Sequence, residues 1–376
     1  MAEDRAQMQA TLRDWLALER IPRVGPLTIA RLYNAFGSPS AALQATAAQI
    51  QRRSGISEKL ARAIADFVPP DGDIERDMGI LHRLAARIVC RWDTDYPANL
   101  REIYDPPALL FVRGEMTTED TRGVALVGTR NPTRYGLDMA QQITRELVRS
   151  GVTIVSGLAR GIDTTCHETA LKEGGRTIGV LGCGIDVVYP RENRELMDKI
   201  TFSGAVITEF RPQTAPLATN FYRRNRVVSG LAKGVVVIEA AKNSGSLITA
   251  AHALEQNRDV FAVPGNVLSR RSEGPHHLIK QGAGLVESGE DILAAVFATP
   301  STGIQASLFE SRDETLELSD AAREVLEAID PDPVPIDMLC ESLRMEAGKL
   351  SGILLELELS GLVRQYPGKM FARILF

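Results

Sequence analysis

The stretch VTIVSGLARGID, residues 152–163, is an apolar run that stops at Ser156 and Gly157 and then turns into a helix-like segment. Where a strand passes through a glycine turn into a helix, unpaired amides and the positive end of the helix converge, and such places hold phosphate. This stretch lacks both the G-x-G-x-x-G of a dinucleotide site and the G-x-x-x-x-G-K-[ST] of a P-loop. It raises the question of which phosphate it serves: a cofactor's, a small nucleotide's or a nucleic-acid backbone's.

Outward from it the pattern repeats. Short apolar runs stand at residues 125–127, 178–181, 205–207, 235–238 and 260–263. Amphipathic stretches separate them, such as Met139, Ile143 and Leu147 at i, i+4 and i+8. Apolar strands alternating with helices predict an α/β fold, a parallel sheet covered on both faces. Such sheets bind ligands where strands end and helices begin, so the informative residues are those just after each run.

The flanks read differently. Residues 1–70 are short helices by the spacing of Leu12, Trp15 and Leu16, of Ile29, Leu32, Tyr33 and Phe36, and of Leu60, Ile64, Phe67 and Val68. Two of them follow the glycine turns IPRVGP and RSGISE, as in helix-hairpin-helix modules whose turn amides touch a DNA backbone. A plain helical bundle with tight turns accounts for the same residues, slightly better. Residues 71–297 hold the alternating pattern, and residues 298–315, ATPSTGIQASLFESRDET, are polar and aperiodic, a linker. From 316 to 376, Ala322, Val325, Leu326 and Ile329 make one helical face and Leu350, Ile353, Leu354 and Leu357 another. Gly361 stops the last helix, and short strands flank Pro367 and Gly368, which predicts a winged helix.

Composition sets bounds. A 44% hydrophobic and 24% charged chain is that of a globular protein rather than a disordered one. The longest apolar runs are strand-length, so no membrane span is expected. The start, MAEDRAQMQATLRDW, has no basic region leading into an apolar core, which argues against secretion. Cys90, Cys166, Cys183 and Cys340 are scattered with no C-x-x-C pair, so we expect no zinc site, no disulfides and a reducing cytoplasm. The formal net charge of −5 does not advertise a nucleic-acid binder. Residues 210–226, however, carry Arg211, Arg223, Arg224 and Arg226 and no acid at all.

The loops after the runs carry the chemistry. In VGTRNPTRYG the chain turns at Gly128 and projects Arg130, whose planar fork suits phosphate oxygens. In the opening stretch Ser156, Gly157 and Ala159 are small enough for their amides to approach an anion. Arg160 stands beside them, and a helix beginning near Gly161 aims its positive end there. LGCGIDVVYPREN turns at Gly182 and Gly184 and presents Tyr189, Arg191 and Asn193. The acid-free window adds Phe221 and Tyr222 to its arginines: cations for phosphates and flat faces for bases. EAAKNSGSLITAAHAL makes another small-residue turn at Ser244, Gly245 and Ser246. Ordinary turn chemistry explains the first two loops equally well when each is taken alone. A charge run, too, is by itself only a solvated face, but this one borders the sheet's carboxyl edge, which favours function.

Catalysis has thinner support. Asp163 and His167 stand at i, i+4, and Glu239 ends a strand, so a carboxylate–imidazole pair could serve acid–base work. The plainer reading is that Asp163 caps the helix and His167 packs beneath the loop. Cys166 and Cys183 read as small core residues. His276 and His277 are adjacent and diverge, with no third metal ligand near. No catalytic residue, metal or cofactor is expected.

Taken in order, VALVGTRNPTRYG, TIVSGLARGIDTTCHETAL, GVLGCGIDVVYPREN, FYRRNRVVSGL and VVVIEAAKNSGSLITAAHALEQNRDVFAVPGN closely resemble the DNA-processing protein A (DprA/Smf) family. Upstream, YPANLREIYDPPALLFVRG is similar to that family's lead-in. The resemblance is dense over residues 95–285 and looser at both flanks. It implies an extended Rossmann-like parallel sheet with an N-terminal SAM/helix-hairpin-helix-like domain and a C-terminal winged helix. It also implies a homodimer that binds single-stranded DNA and helps load the RecA recombinase during natural transformation, without being an enzyme. Carried over by motif, Gly128 and Arg130, with Ser156, Gly157 and Ala159, hold phosphates. Arg191 stands where the family has a lysine or arginine, and Arg223, Arg224 and Arg226 extend a basic rim. The chain departs from the pattern at His276, where asparagine is usual, and at Tyr222, where proline is usual.

Two enzyme readings compete. A Rossmann-like nucleotide-processing enzyme, similar to the lonely-guy type nucleoside monophosphate phosphoribohydrolases, needs P-G-G-x-G-T-x-x-E, and VPGNVLSRRSE does not supply it. A dinucleotide-dependent oxidoreductase needs the glycine fingerprint and an acid at the end of the second strand, and both are missing. The arginine-rich rim favours a nucleic-acid backbone. Between residues 316 and 376 there are eleven acids against six bases, and the would-be recognition helix AGKLSGILLELELSG has one lysine. Such a module repels phosphate, so it reads as a protein-contact or dimer-accessory domain.

Overall fold

A computed structural model describes residues 2–70, 72–297, 319–329, 334–343, 345–359, 362–366 and 370–373. The linker expected at 298–315 and the expected stop and turn at Gly361, Pro367 and Gly368 lie outside the described residues. The chain divides into two compact units, Met1–Ala298 and Thr299–Phe376.

The first unit opens with helices α1 (Ala2–Arg20), α2 (Pro26–Phe36), α3 (Pro39–Leu43), α4 (Ala47–Ser54), α5 (Glu58–Ala65) and α6 (Asp73–Arg83). Their ends follow local chemistry. Ser38, Thr46 and Ser57 accept from the amide three residues on, and Gly37 and Gly55 close α2 and α4 in the left-handed conformation. Strands β1 (Ala86–Cys90) and β2 (Leu109–Gly114) follow, with the short helix α7 (Ala98–Arg101) between them. Then β3 (Gly123–Val127), α8 (Arg134–Arg149), β4 (Thr153–Ser156), α9 (Ile162–Lys172), β5 (Thr177–Val180), α10 (Arg194–Ser203) and β6 (Gly204–Thr208) alternate. The unit ends with α11 (Ala218–Leu231), β7 (Gly234–Val237), α12 (Gly245–Glu255), β8 (Asp259–Ala262), α13 (Glu273–Lys280), β9 (Gly284–Leu285) and α14 (Gly289–Phe297).

Among the described residues these strands form a nine-stranded sheet ordered β1-β2-β6-β5-β4-β3-β7-β8-β9. From β6 to β9 every neighbouring pair is parallel, and β2 joins β6 antiparallel, as β1 joins β2. The six apolar runs are β3 to β8, and the period of two divides them between the faces. In β3, Ala125 and Val127 enter one core while Val124 and Leu126 enter the other; in β7, Val235 and Val237 separate from Val236 in the same way. The antiparallel edge β1–β2 is not among the expected strands: β2 lies within the stretch YPANLREIYDPPALLFVRG, given only as a lead-in, and β1 precedes it.

The helical front end packs on that edge. Trp15 of α1, Tyr33 of α2 and Trp92 after β1 stack in sequence, with centroid separations of 5.6, 5.7 and 3.9 Å between the pairs Trp15–Tyr33, Trp15–Trp92 and Tyr33–Trp92. One apolar cluster runs from Leu18, Ile29 and Ile64 into Cys90 and Leu109. Charge is buried at the same junction. Arg20 bonds Asp73 at 2.8 Å and Asp77 at 2.5 Å.

The second unit contains α15 (Asp320–Glu327), β10 (Val334–Pro335), α16 (Ile336–Leu343), α17 (Ala347–Leu359), β11 (Val363–Tyr366) and β12 (Met370–Arg373). Strands β11 and β12 pair antiparallel, and β10 joins β12. Ala322, Val325, Ile329, Leu350, Leu354 and Leu357 bury together as their spacing predicted. This is a winged helix.

Glu19 gives the junction a pH dependence. Its Oε2 is buried with no hydrogen-bond partner, and burial pushes the carboxyl up from 4.5 to about 8, against the pull of Arg211. Between those values the folded chain keeps a proton that the unfolded chain releases, so stability falls as pH rises through the window. Glu19→Gln is expected to flatten that fall and to raise the melting temperature at pH 8 relative to the parent chain. Equal slopes in thermal melts from pH 5 to 8 count against it.

Candidate nucleic-acid interface

The chain steps from β3 outward to β4, β5 and β6, then crosses back over β3 to β7 and β8. Ligands of open α/β sheets sit where strand order reverses in this way. Here the loops after β3, β4, β7 and β8 open into a cavity of about 880 Å³. Arg130, Arg224, Lys242 and Arg270 line it, against the carboxylates Asp163 and Glu273. Phe221 provides a flat wall, with the guanidinium carbons of Arg130 and Arg224 at 5.9 and 5.8 Å from its ring centroid. The Tyr189 ring tilts against Phe221 at 5.3 Å.

Helix α11 decides which arginine goes where. Arg223 and Arg226 are three apart and share a face, while Arg224 lies on another. Buried Arg224 donates from Nη1 to the Gly157 carbonyl at 2.6 Å and also to the Val180 carbonyl. Burial pulls its guanidinium down from the usual arginine range, and Asp163 opposes that. Buried Arg226 donates from Nη2 to Glu209 at 2.7 Å and pairs through Nε with Asp105 at 3.1 Å. Arg223 reaches Glu209 at 3.1 Å and lies 5.2 Å over the Phe210 ring. The single basic rim read from Arg223, Arg224 and Arg226 is therefore corrected. Arg224 faces the cavity and the other two do not line it. The window looked free of acid because its counter-ions, Glu209 and Asp105, lie outside it.

The opening turn is a second correction. The amides of Gly157 and Ala159 do converge on a carboxylate, but it is the protein's own: Asp163 Oδ2 accepts from them at 3.0 and 3.3 Å. The Ser156 hydroxyl is buried and donates to the Leu126 carbonyl at 2.6 Å. Burial pushes the Asp163 carboxyl above its ordinary value, with Arg224 the largest opposing influence. The glycine at 157 is needed because a Cβ would overlap the Arg224 guanidinium. Gly161 adopts φ +77° with the Thr129 carbonyl against it, a conformation that disfavours any side chain.

The remaining expected residues divide. Gly128, Ser244, Gly245 and Ser246 line the cavity, and Ser244 caps α12 by accepting from the Ser246 amide at 3.4 Å. Arg160 is paired with Glu192 at a small side pocket shared with Tyr189. Arg191 is exposed and outside the cavity lining. Lys242 and Arg270 were missed. Lys242 lies within a loop already singled out, and reading basic residues after the sixth run as after the others finds Arg270.

The groups weighed for catalysis are each engaged or enclosed within the fold. His167 is fully buried, its Nδ1 lies 2.6 Å from Thr177 Oγ1, and burial drives its pKa down to about 3. Glu239 accepts from the Thr133 amide at 2.9 Å and its hydroxyl at 2.5 Å, fixing the start of α8. Burial pushes the Cys166 and Cys183 thiols up to about 12 and 11, which disfavours the thiolate. His276 Nε2 lies 3.1 Å from the Gly265 carbonyl and supports the loop that carries Arg270.

Comparison with known proteins matches this architecture piece by piece. The family model for DNA recombination-mediator protein A matches residues 87–297, that for the DprA winged helix domain matches 310–369, and that for a SAM-like helix-hairpin-helix tandem matches 16–68. Protein Smf of Synechocystis is 32% identical, covering 96% of this chain and 98% of its own. The crystal structure of DNA processing protein A from Streptococcus pneumoniae superposes with a TM-score of 0.67 at 36% identity, covering 76% of this chain and 98% of that one. A DNA processing protein A from Helicobacter pylori, described for a unique single-stranded DNA binding mode, superposes with a TM-score of 0.50 at 28% identity, covering 56% of this chain and 94% of that one. With its central sheet, both flanking modules and the order of its loops all accounted for, the chain belongs to the DNA-processing protein A (DprA/Smf) family.

Proposed function

We propose that this chain binds single-stranded DNA in the cavity at the strand-order reversal and acts as a non-catalytic recombination mediator, a cytoplasmic homodimer that helps load RecA. The observation that carries the reading is the lining: Arg130, Arg224, Lys242 and Arg270 around the Phe221 ring. Cations paired with flat rings suit a strand whose bases are free to stack. The single-strand binding described for the Helicobacter pylori relative supports it. Among the described residues no helix is long and apolar enough to cross a membrane, which fits a partner in solution.

The competing reading, a nucleotide-processing enzyme, draws on Asp163 and Glu273 in the same cavity. Asp163 already accepts two backbone amides, which suits a loop strut better than a general base. The purified chain is expected to release neither base nor phosphate from nucleoside monophosphates. Steady release abolished by Asp163→Ala would overturn the non-catalytic reading.

Arg130 is exposed, with its guanidinium over the Phe221 ring, so replacing it tests the site without threatening the fold. Arg130→Ala is expected to weaken polythymidine and mixed-sequence strands alike. It should also flatten the slope of log affinity against log salt by about 0.7, one phosphate's worth on a single strand. Arg130→Glu should weaken binding further. Wild-type affinity and an unchanged slope in both variants, measured by anisotropy titration, would sink the assignment.

A further inference from the structure

The loop between β8 and α13, residues 263–272, carries two large aliphatic side chains into solvent. Val267 is 81% exposed and Leu268 90%, and they are the only adjacent pair of exposed large hydrophobics among the described residues. From this loop we infer an apolar platform that packs against the unpaired bases of the strand as it passes the rim of the main cavity. The inference rests on the single-strand reading above.

Single exposed aliphatics are ordinary on protein surfaces. This pair differs because its loop is braced, whereas a slack loop could fold both side chains inward, away from water. The Leu268 amide donates to Asn266 Oδ1 at 2.8 Å and the Ser269 amide to the Asn266 carbonyl at 2.9 Å, which closes a tight turn at the apex. Lower down, the Tyr135 hydroxyl donates to the Pro264 carbonyl at 2.6 Å, and the Ala240 amide to the Arg271 carbonyl at 2.7 Å. Arg271 Nε donates across to the Asn131 carbonyl at 2.7 Å. The apex is thereby tied to the loops that carry Arg130 and Lys242, and its aliphatic pair stays in solvent.

Position and charge name the occupant. Arg270, two residues after Leu268, lines the main cavity, so a strand leaving that cavity past Arg270 meets the apex. Arg270 and Arg271 bring two exposed cations to the same loop, which gives phosphates a partner while the bases turn to the aliphatic surface. A duplex covers its base faces by stacking, whereas a single strand presents them, and side chains such as leucine pack against unstacked bases. A second copy of the chain suits the apex less well. About a two-fold axis the same patch meets itself, which sets the arginines of one copy against those of the other.

Contact with base faces neutralises no phosphate and so releases no counter-ion, which separates this surface from the cationic cavity in an experiment. Val267→Ser and Leu268→Ser are combined in the full-length chain. The double variant is titrated across salt with polythymidine of about 16 nucleotides, the upper end of single-strand site sizes, and with an abasic strand of equal length and charge. Both side chains are exposed, so it should melt as the parent does. It should bind polythymidine about tenfold more weakly with an unchanged salt slope, and bind the abasic strand like the parent. Parental affinity for polythymidine would overturn the platform and leave the main cavity's assignment intact. An equal loss on the abasic strand, or a flatter slope, would overturn it too, since the damage would then lie in phosphate contacts. So would a fall in particle mass by light scattering, which would show that another copy covers the apex. If the unmodified chain binds neither strand, the single-strand reading fails and this one with it.

Discussion

Arg224 carries a full charge with 6% of its surface exposed, and the loops around the main cavity are arranged to keep it there. Its Nη1 donates to the carbonyls of Gly157 and Val180, tying together the carboxyl ends of β4 and β5. Asp163 supplies the opposing charge from the start of α9 and is held by the amides of the same β4 loop. A buried charged donor without its acceptors is costly, so Arg224 and the two loop carbonyls depend on one another. Close packing constrains the neighbouring glycines too: a Cβ at 157 would overlap Arg224, and one at 182 would overlap Phe221.

From this follows a division of labour along α11. The face bearing Arg224 builds the main cavity, and the face bearing Arg223 and Arg226 meets Glu209, Asp105 and a smaller cavity beside the start of α2. Tyr222 lines both. A single helix thus turns one arginine toward the main cavity and pairs the other two with carboxylates. The front-end helices meet the sheet edge through the Trp15, Tyr33 and Trp92 stack and the apolar cluster around it.

The central sheet was legible because its strands are buried on both faces and so read as uninterrupted apolar runs. All six expected runs are strands, and the loops after four of them line the main cavity. The wing and its helices were legible for the related reason that Leu350, Leu354 and Leu357 recur at helical spacing. Edge strand β1 was not, since it is only partly buried and its pattern is mixed, whereas the buried apolar run of β2 lay within the stretch read as a lead-in. Arg270 escaped for want of applying to the last loop the rule that found the others.

The sequence by itself determined the order of strands and helices, the glycine turns, and the family, because these depend on local periodicity and on residues close together in the chain. What each charge does was decided only in three dimensions. Arg226 could not be told from Arg224 while Glu209 and Asp105 lay outside the window being read. Nor could the amides of Gly157 and Ala159 be known to be spent on Asp163, since capture within a loop and capture of a ligand call for the same small residues. Electrostatic partners are chosen by distance in space, and a charge's role is set by the partners that folding brings to it.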